Sequence, residues 1–574
     1  MNIKPLIVKS YLESLTEENE LNRIFPILLT SLNFEILSKP TENKGLPEYG
    51  KDIVAVGKDD DGRIKRFYFE LKGGGDKNIT TATLNKKDGI IESLREAKFK
   101  KFPTTYIGFD SLPLKIILVH NGILKGNVRE TFDGFIKLEF PETKNFNFER
   151  WGIEKLCVKF TDNLFGAFLL TDQKTTKLFN KVLINLNASN HISNDYIKLL
   201  NTLLEKEKFT GYKKILQRKW VLLFETLKLI SFVIYTEAKE YNNFDIAKRH
   251  LTHLVIKFWH WILKNKLEED QKVVTYFTQV FNFYYSVLIE YFKRTLPIAG
   301  MDNGLSSEHS GRYEQIGYTK RTFQYIEFLC FTLNVDRYYN SNFEPDEGKK
   351  VLISVINSNS VSLRPLVDIN SIPIVDSLNL FLSIGEKKSA INYLKGVLSY
   401  LINGKEKYDR MPDANNSYEN VIRLTVTGNK SVYYSDTTSP LLSVLLEYIA
   451  ILDLEEEYGI VREFVIKHEI NLGIFTPYHG TNYIHLLENT DEDLEEQLFS
   501  NSGFNDGYQR SIPLFEKLHN DLSFEDFKKE CLERKNEFHY DYRTDKAGFP
   551  FLKDLAHIYF QIPHFPDKWK NLIG

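Results

Sequence analysis

The chain has 574 residues, a formal net charge of −3 and three cysteines. That length exceeds one ordinary domain and implies two to four. The near-neutral balance excludes a generic polycation, so any nucleic-acid contact must come from a local patch.

Cys157, Cys330 and Cys531 are scattered, with no C-x-x-C and no metal-ligand spacing, and read as buried free thiols of a reducing compartment. The N-terminus has no long apolar run, so no signal peptide is expected. The most apolar stretch, 220–235, contains Glu225 and Lys228 and reads as a buried helix rather than a membrane span. A cytoplasmic protein is expected.

In chain order, residues 17–32 form a helix, with Leu21, Phe25, Leu28 and Leu32 as its inward stripe. One step back along that stripe lies Glu18. Glu20 lies on the adjacent face with Ile24 and Ile27. Glu17, Glu18 and Glu20 also complement the dipole at a helix N-terminus. A short strand over 34–37 and a polar loop over 40–50 follow. Two strands then span 51–57 and 63–72, joined by Asp-Asp-Asp-Gly at 59–62, where Gly62 can take positive φ. The first is apolar on both faces. In the second, Phe67, Phe69 and Leu71 point one way and Tyr68, Glu70 and Lys72 the other.

Spacing then selects the chemistry. A turn centred on Asp61 sets Asp52 opposite Glu70, with directly opposed Cβ atoms about 4.5–5.5 Å apart. Two carboxylates so placed can grip one Mg²⁺, which takes oxygen ligands and keeps several waters. A two-residue turn at Asp61-Gly62 would shift the register by one and send Asp52 to the other face. Buried carboxylates need a partner, and a metal together with Lys72 supplies one.

After Gly73-Gly74-Gly75, the residues Lys77, Thr80, Thr81, Thr83, Lys86 and Lys87 can contact phosphate oxygens, or form a solvated loop. The pattern predicts a helix over 88–101, a strand covered on both faces over 114–120, a strand over 135–140 and a helix over 151–165. The order helix, three strands, helix, strand, helix, strand, helix gives a mixed sheet with helices on its faces. Beyond 165 long helical patterns dominate, interrupted by polar loops at 300–317 and 407–420, with no fixed repeat. The expected architecture is an α/β domain over 1–168, then helical domains over 169–345 and 346–574.

Gly50-x-Asp52 followed by Glu70-x-Lys72 on the next strand resembles the PD-(D/E)XK nuclease superfamily, in its Mrr-type flavour. The resemblance covers roughly the first 165 residues. It departs from the family in having no Pro immediately before Asp52 and no Gln-x-x-x-Tyr after Lys72. It implies a restriction-endonuclease-like fold and a Mg²⁺- or Mn²⁺-dependent endonuclease acting on nucleic acid, DNA favoured, in bacterial restriction or antiphage defence. Asp52, Glu70 and the Leu71 carbonyl would ligate the metal. Lys72 would orient the attacking water, help deprotonate it and offset charge on phosphorus. Glu18, or Glu20 in its place, would add a helix carboxylate. Lys77, Thr80, Lys86 and Lys87 would contact nucleic acid, and the helical region would serve recognition, regulation or self-association.

Two alternatives stand beside this reading. One is an interaction protein carrying a degenerate nuclease fold. The other is a ribonuclease using Arg534 and His539, whose spacing resembles the Arg-x4-6-His signature of HEPN ribonucleases. His250, His253 and His260 read as ordinary helix histidines. No G-x-x-x-x-G-K-[ST] and no G-x-S-x-G occurs.

Overall fold

The computed structural model describes residues 8–9, 11–13, 15–39, 51–87, 89–165, 173–187, 191–205, 209, 218–307, 314–339, 343–476, 514–517, 521–535, 543–561, 567–570 and 572. Gly50 and the loop before it, part of the 300–317 loop, and His539 lie outside these residues. The chain divides into two compact units, 1–241 and 242–574.

The first unit is built on a five-stranded mixed sheet in the order β1-β2-β3-β4-β5. The strands are β1 Glu35–Ser38, β2 Ile53–Lys58, β3 Ile64–Lys72, β4 Leu114–His120 and β5 Phe146–Trp151. β1, β2 and β3 pair antiparallel, whereas β3, β4 and β5 pair parallel. A tight turn suffices between β2 and β3, but each parallel pair needs a crossover. Helices α2 Thr81–Asn85 and α3 Ile90–Phe99 cross from β3 to β4, and α4 Arg129–Glu139 from β4 to β5.

Both faces of the sheet are covered, which is why β2 and β4 read as continuous apolar runs. On one face Val54, Tyr68, Ile116 and Leu118 pack with Leu94 and Ala97 of α3 and Phe132 of α4. On the other, Phe67 and Phe69 meet Phe34, while Phe25 and Trp151 pack edge-on against Phe69. Phe25 belongs to helix α1, Asn22–Ser31, which a π turn over Glu17–Leu21 precedes. Helix α5, Ile153–Phe160, follows β5. Helices Gln173–Asn185, Asn194–Glu205 and Arg218–Glu240 complete the described part of this unit.

The element order matches the sequence reading, but one position is corrected. Residues 135–140 are not a strand; they end α4, and the last strand begins at Phe146. Ile136, Leu138 and Phe140 alternate with Lys137 and Glu139 and imitate a period of two. The inward set is instead the buried Phe132 and Phe140 with the half-buried Phe135 and Ile136, a helical spacing, while Leu138 is 80% exposed.

In its described residues the second unit is helical apart from the antiparallel pair β6 Gly473–Thr476 and β7 Leu514–Lys517. Its longest helices are Phe244–Lys264, Gln271–Ala299, Glu314–Tyr339 and Lys387–Tyr408. His250 and His253 are buried in the first of these, where burial pushes their imidazoles down to about 4 and about 3. Cys157, Cys330 and Cys531 are buried free thiols. Among the described residues no helix is long and apolar enough to cross a membrane.

The α4 assignment has a direct check. Phe132→Ala should cost about 3–5 kcal/mol in urea unfolding, as for a buried aromatic. Leu138→Ala should stay within about 0.5 kcal/mol. A strand with Leu138 facing inward would make both changes costly.

Candidate functional site

The β2–β3 register fixes the site. Pairs run from Ile53 opposite Phe69 to Lys58 opposite Ile64, centred on Asp61. Gly62 takes φ +83° in the turn, and the Gly62 amide donates to the Asp59 carbonyl at 2.9 Å. Asp52 lies one step before β2, and this register extended by one residue would set it against Glu70. There Asp52 accepts a hydrogen bond from the Leu71 amide at 2.5 Å. Glu70 is buried, and its carboxylate pairs with the Lys72 ammonium at 2.8 Å.

A third carboxylate comes from the π turn. Glu17 accepts a hydrogen bond from the Gly73 amide at 2.9 Å. The approach is close enough that a Cβ on Gly73 would lie 3.0 Å from the Glu17 Cα and amide nitrogen. Other bonds hold the N-terminal segment in place. The Asn121 side-chain amide donates to the carbonyls of Leu12 and Leu15, and the Lys77 ammonium to that of Glu13. The Leu21 amide reaches back five residues to Thr16, so one turn back from Leu21 falls at Thr16 and Glu17 rather than at Glu17 and Glu18. That is why Glu17 meets the strand ends. Glu20 instead accepts from the Thr16 amide and hydroxyl, and the side chain of Glu18 lies outside the described residues.

Electrostatics couple the four groups. Burial raises the Asp52 carboxyl well above the usual carboxylate range; Glu70 and Glu17 push the same way, while the Leu71 amide and Lys72 oppose. Burial also raises Glu17, with Lys72 and the Gly73 amide opposing. For Lys72, burial works against the charge, but Glu70, Glu17 and Asp52 outweigh it and hold the ammonium above its ordinary value. Three carboxylates thus share one cation in a water-poor place.

Two further residues flank the cluster without a sequence signal that singled them out. His120, at the end of β4 beside Lys72, accepts from Arg150 through Nε2 at 2.8 Å, so its Nδ1–H donates to the Lys77 carbonyl at 3.0 Å. Burial, with Arg150 adding, pushes it down to about 4, and it stays neutral. Lys51 is buried with its ammonium 5.0 Å from the centre of the Tyr68 ring, and burial pulls it down to about 8.

The remaining expected contact residues have local partners or none. Thr80 caps α2 in a reciprocal box with Thr83. Lys86 pairs with Asp76 at 2.6 Å, and Lys87 is exposed. Arg534, in helix Phe524–Lys535, lies 3.7 Å from Glu530.

The donor set suits a hard divalent cation. Asp52 and Glu70 offer carboxylate oxygens, and a Mg²⁺ ion that keeps several waters would need only one or two of them. Among the described residues no three His, Cys, Asp or Glu side chains converge at metal-holding geometry. The excess negative charge around Lys72 is what a cation would relieve.

The raised Asp52 carboxyl sets a pH dependence. The folded chain keeps this proton to higher pH than the unfolded chain does. Across that window the folded state binds more protons, and stability falls as pH rises. In EDTA, Asp52→Asn should therefore raise the urea midpoint at pH 8. The gain should vanish below about pH 4, where Asp is protonated in both states. An Asn variant less stable than wild type at pH 8 would show that Asp52 is stabilising as a carboxylate.

Comparison of the chain with protein-family models, with curated proteins and with solved structures finds no match.

Proposed function

We propose that the chain is a Mg²⁺- or Mn²⁺-dependent nuclease of the PD-(D/E)XK, restriction-endonuclease-like kind, hydrolysing phosphodiester bonds of nucleic acid. The observation that carries this reading is the cluster of Asp52, Glu70 and Lys72 at the end of a paired β2 and β3, buried and short of positive charge. The mixed sheet covered by helices on both faces supports it. A role in bacterial restriction or antiphage defence belongs to the same proposal.

In this reading Asp52, Glu70 and the Leu71 carbonyl would hold the ion. A bound divalent ion supplies Lewis acidity and an acidified water. The Asp52 bond to the Leu71 amide orients its carboxylate before the ion arrives, so little reorganisation is needed on binding. Lys72, held as an ammonium in the free chain, has no lone pair to accept a proton. It orients the water and offsets the charge that grows on the phosphoryl oxygens. Glu17 fixes the strand end through Gly73 and stays within the field of the other carboxylates.

The roles separate by mutation. Asp52→Ala should lower both calorimetric Mn²⁺ binding and cleavage of a plasmid or a structured RNA. Lys72→Ala should leave Mn²⁺ affinity equal or higher, because no ligand is lost, while cleavage falls about 10²–10³-fold, as for loss of a transition-state donor. A Lys72→Ala protein that cleaves like wild type would remove Lys72 from the chemistry and the family proposal with it.

A further inference from the structure

One surface of the second unit is tightly built yet leaves its most adhesive side chains unused. Helix Lys387–Tyr408 leads into a loop, helix Tyr418–Thr427 and a second loop. Buried Asp413 ties these together. Its carboxylate accepts from the amides of Asn415, Ser417 and Ser435 and from the Asn420 side chain, at 2.9–3.2 Å. Asn415 and Asn420 also donate to the Tyr433 carbonyl, at 2.7 and 3.0 Å. Lys405 and Lys430 each bridge Asp409 and Asp436.

On this frame Tyr408 is 71% exposed, Tyr433 74% and Val432 92%. Lys407 and Arg410 are exposed next to Tyr408 along the chain, and Arg423 is exposed one turn after Asn420, which holds the Tyr433 carbonyl. Among the described residues no hydrogen bond, ion pair or ring contact engages the side chains of Tyr408, Tyr433, Lys407, Arg410 or Arg423. The local acids are mostly committed. Asp409 and Asp436 serve the two lysines, Asp413 the loop amides and Glu406 pairs with Lys467 at 2.7 Å, which leaves Glu419.

We infer that this surface, carrying Tyr408, Tyr433, Lys407, Arg410 and Arg423, binds single-stranded nucleic acid. Two tyrosine rings offer faces on which unpaired bases stack, and three uncommitted cations meet the phosphates between them. A duplex hides its base faces, so the rings favour a single strand. A surface with more free cations than acids suits a polyanion better than a neutral protein face. The inference rests on the proposed nuclease function for its purpose, by naming where the strand is held, but binding is tested apart from cleavage.

The test uses the full chain carrying Asp52→Asn, in EDTA, with fluorescein-labelled oligo-dT and the matching duplex read by anisotropy across a salt series. Oligo-dT should bind more tightly than the duplex. Adding Tyr408→Ala with Tyr433→Ala should weaken oligo-dT about tenfold or more, the scale of lost base stacking. Adding Lys407→Gln, Arg410→Gln and Arg423→Gln should flatten the slope of log affinity against log salt by about 2, from three lost phosphate contacts on a single strand. All five positions are exposed, so unfolding should not confound the result, and an unchanged urea midpoint checks this. Unchanged oligo-dT affinity in the tyrosine variant would overturn the inference, as would absence of binding or equal preference for duplex. Loss of cleavage on Lys72→Ala with oligo-dT binding intact would leave both proposals standing. Cleavage that survives Lys72→Ala would defeat the nuclease reading alone.

Discussion

The hydrogen bond from the Leu71 amide to the Asp52 carboxylate is the contact on which the site depends. It exists because the turn at Asp61 fixes the register of β2 against β3, and because Asp52, one residue before β2 begins, lies within reach of the end of β3. A slip of one residue would send Asp52 to the other face and dissolve the cluster. The bond anchors a carboxylate in a place where burial and two like charges oppose ionisation. Such a site is a strain on the fold that a bound cation would relieve, and that relief would couple ligand binding to stability. The same frustration holds Lys72 charged and close to Glu70.

The rest of the first unit serves to keep this corner closed. Gly73 lets Glu17 approach, and the Asn121 side chain fastens the segment before Glu17 at Leu12 and Leu15. Arg150 and the Lys77 carbonyl hold His120 in one tautomer beside Lys72. At the opposite end of β3 and β4, Lys65 and Lys115 converge on Asp59, and Lys115 also meets Glu149. That network sits on the turn whose geometry sets the register, so it supports the site through the strands rather than through contact.

Much of this was readable from residues alone where local chemistry and tertiary demand agree. The alternation through Phe67, Tyr68, Phe69 and Glu70 and the apolar run of β4 each have a single reading, whereas Gly62 marks the turn but leaves its length, and with it the register, open. Glu17 was not readable, because a π turn has no sequence signature and shifts the helical phase by one residue at the point that matters. The 135–140 segment was misread because Ile136, Leu138 and Phe140 satisfy a period of two, and only packing shows that Leu138 faces solvent. His120 and Lys51 were invisible for a different reason. Their environments come from Arg150 and from Tyr68, partners that spacing along the chain does not reveal.

The central claim is that Asp52, Glu70 and the Leu71 carbonyl form one cation site. Its most direct test is a crystal of the full chain soaked in Mn²⁺ and measured at the manganese absorption edge. The account predicts an anomalous peak between the Asp52 and Glu70 carboxylates, within coordination distance of the Leu71 carbonyl oxygen, with the Lys72 ammonium turned from Glu70. A peak confined to other carboxylates, or none at this corner under saturating Mn²⁺, would contradict it.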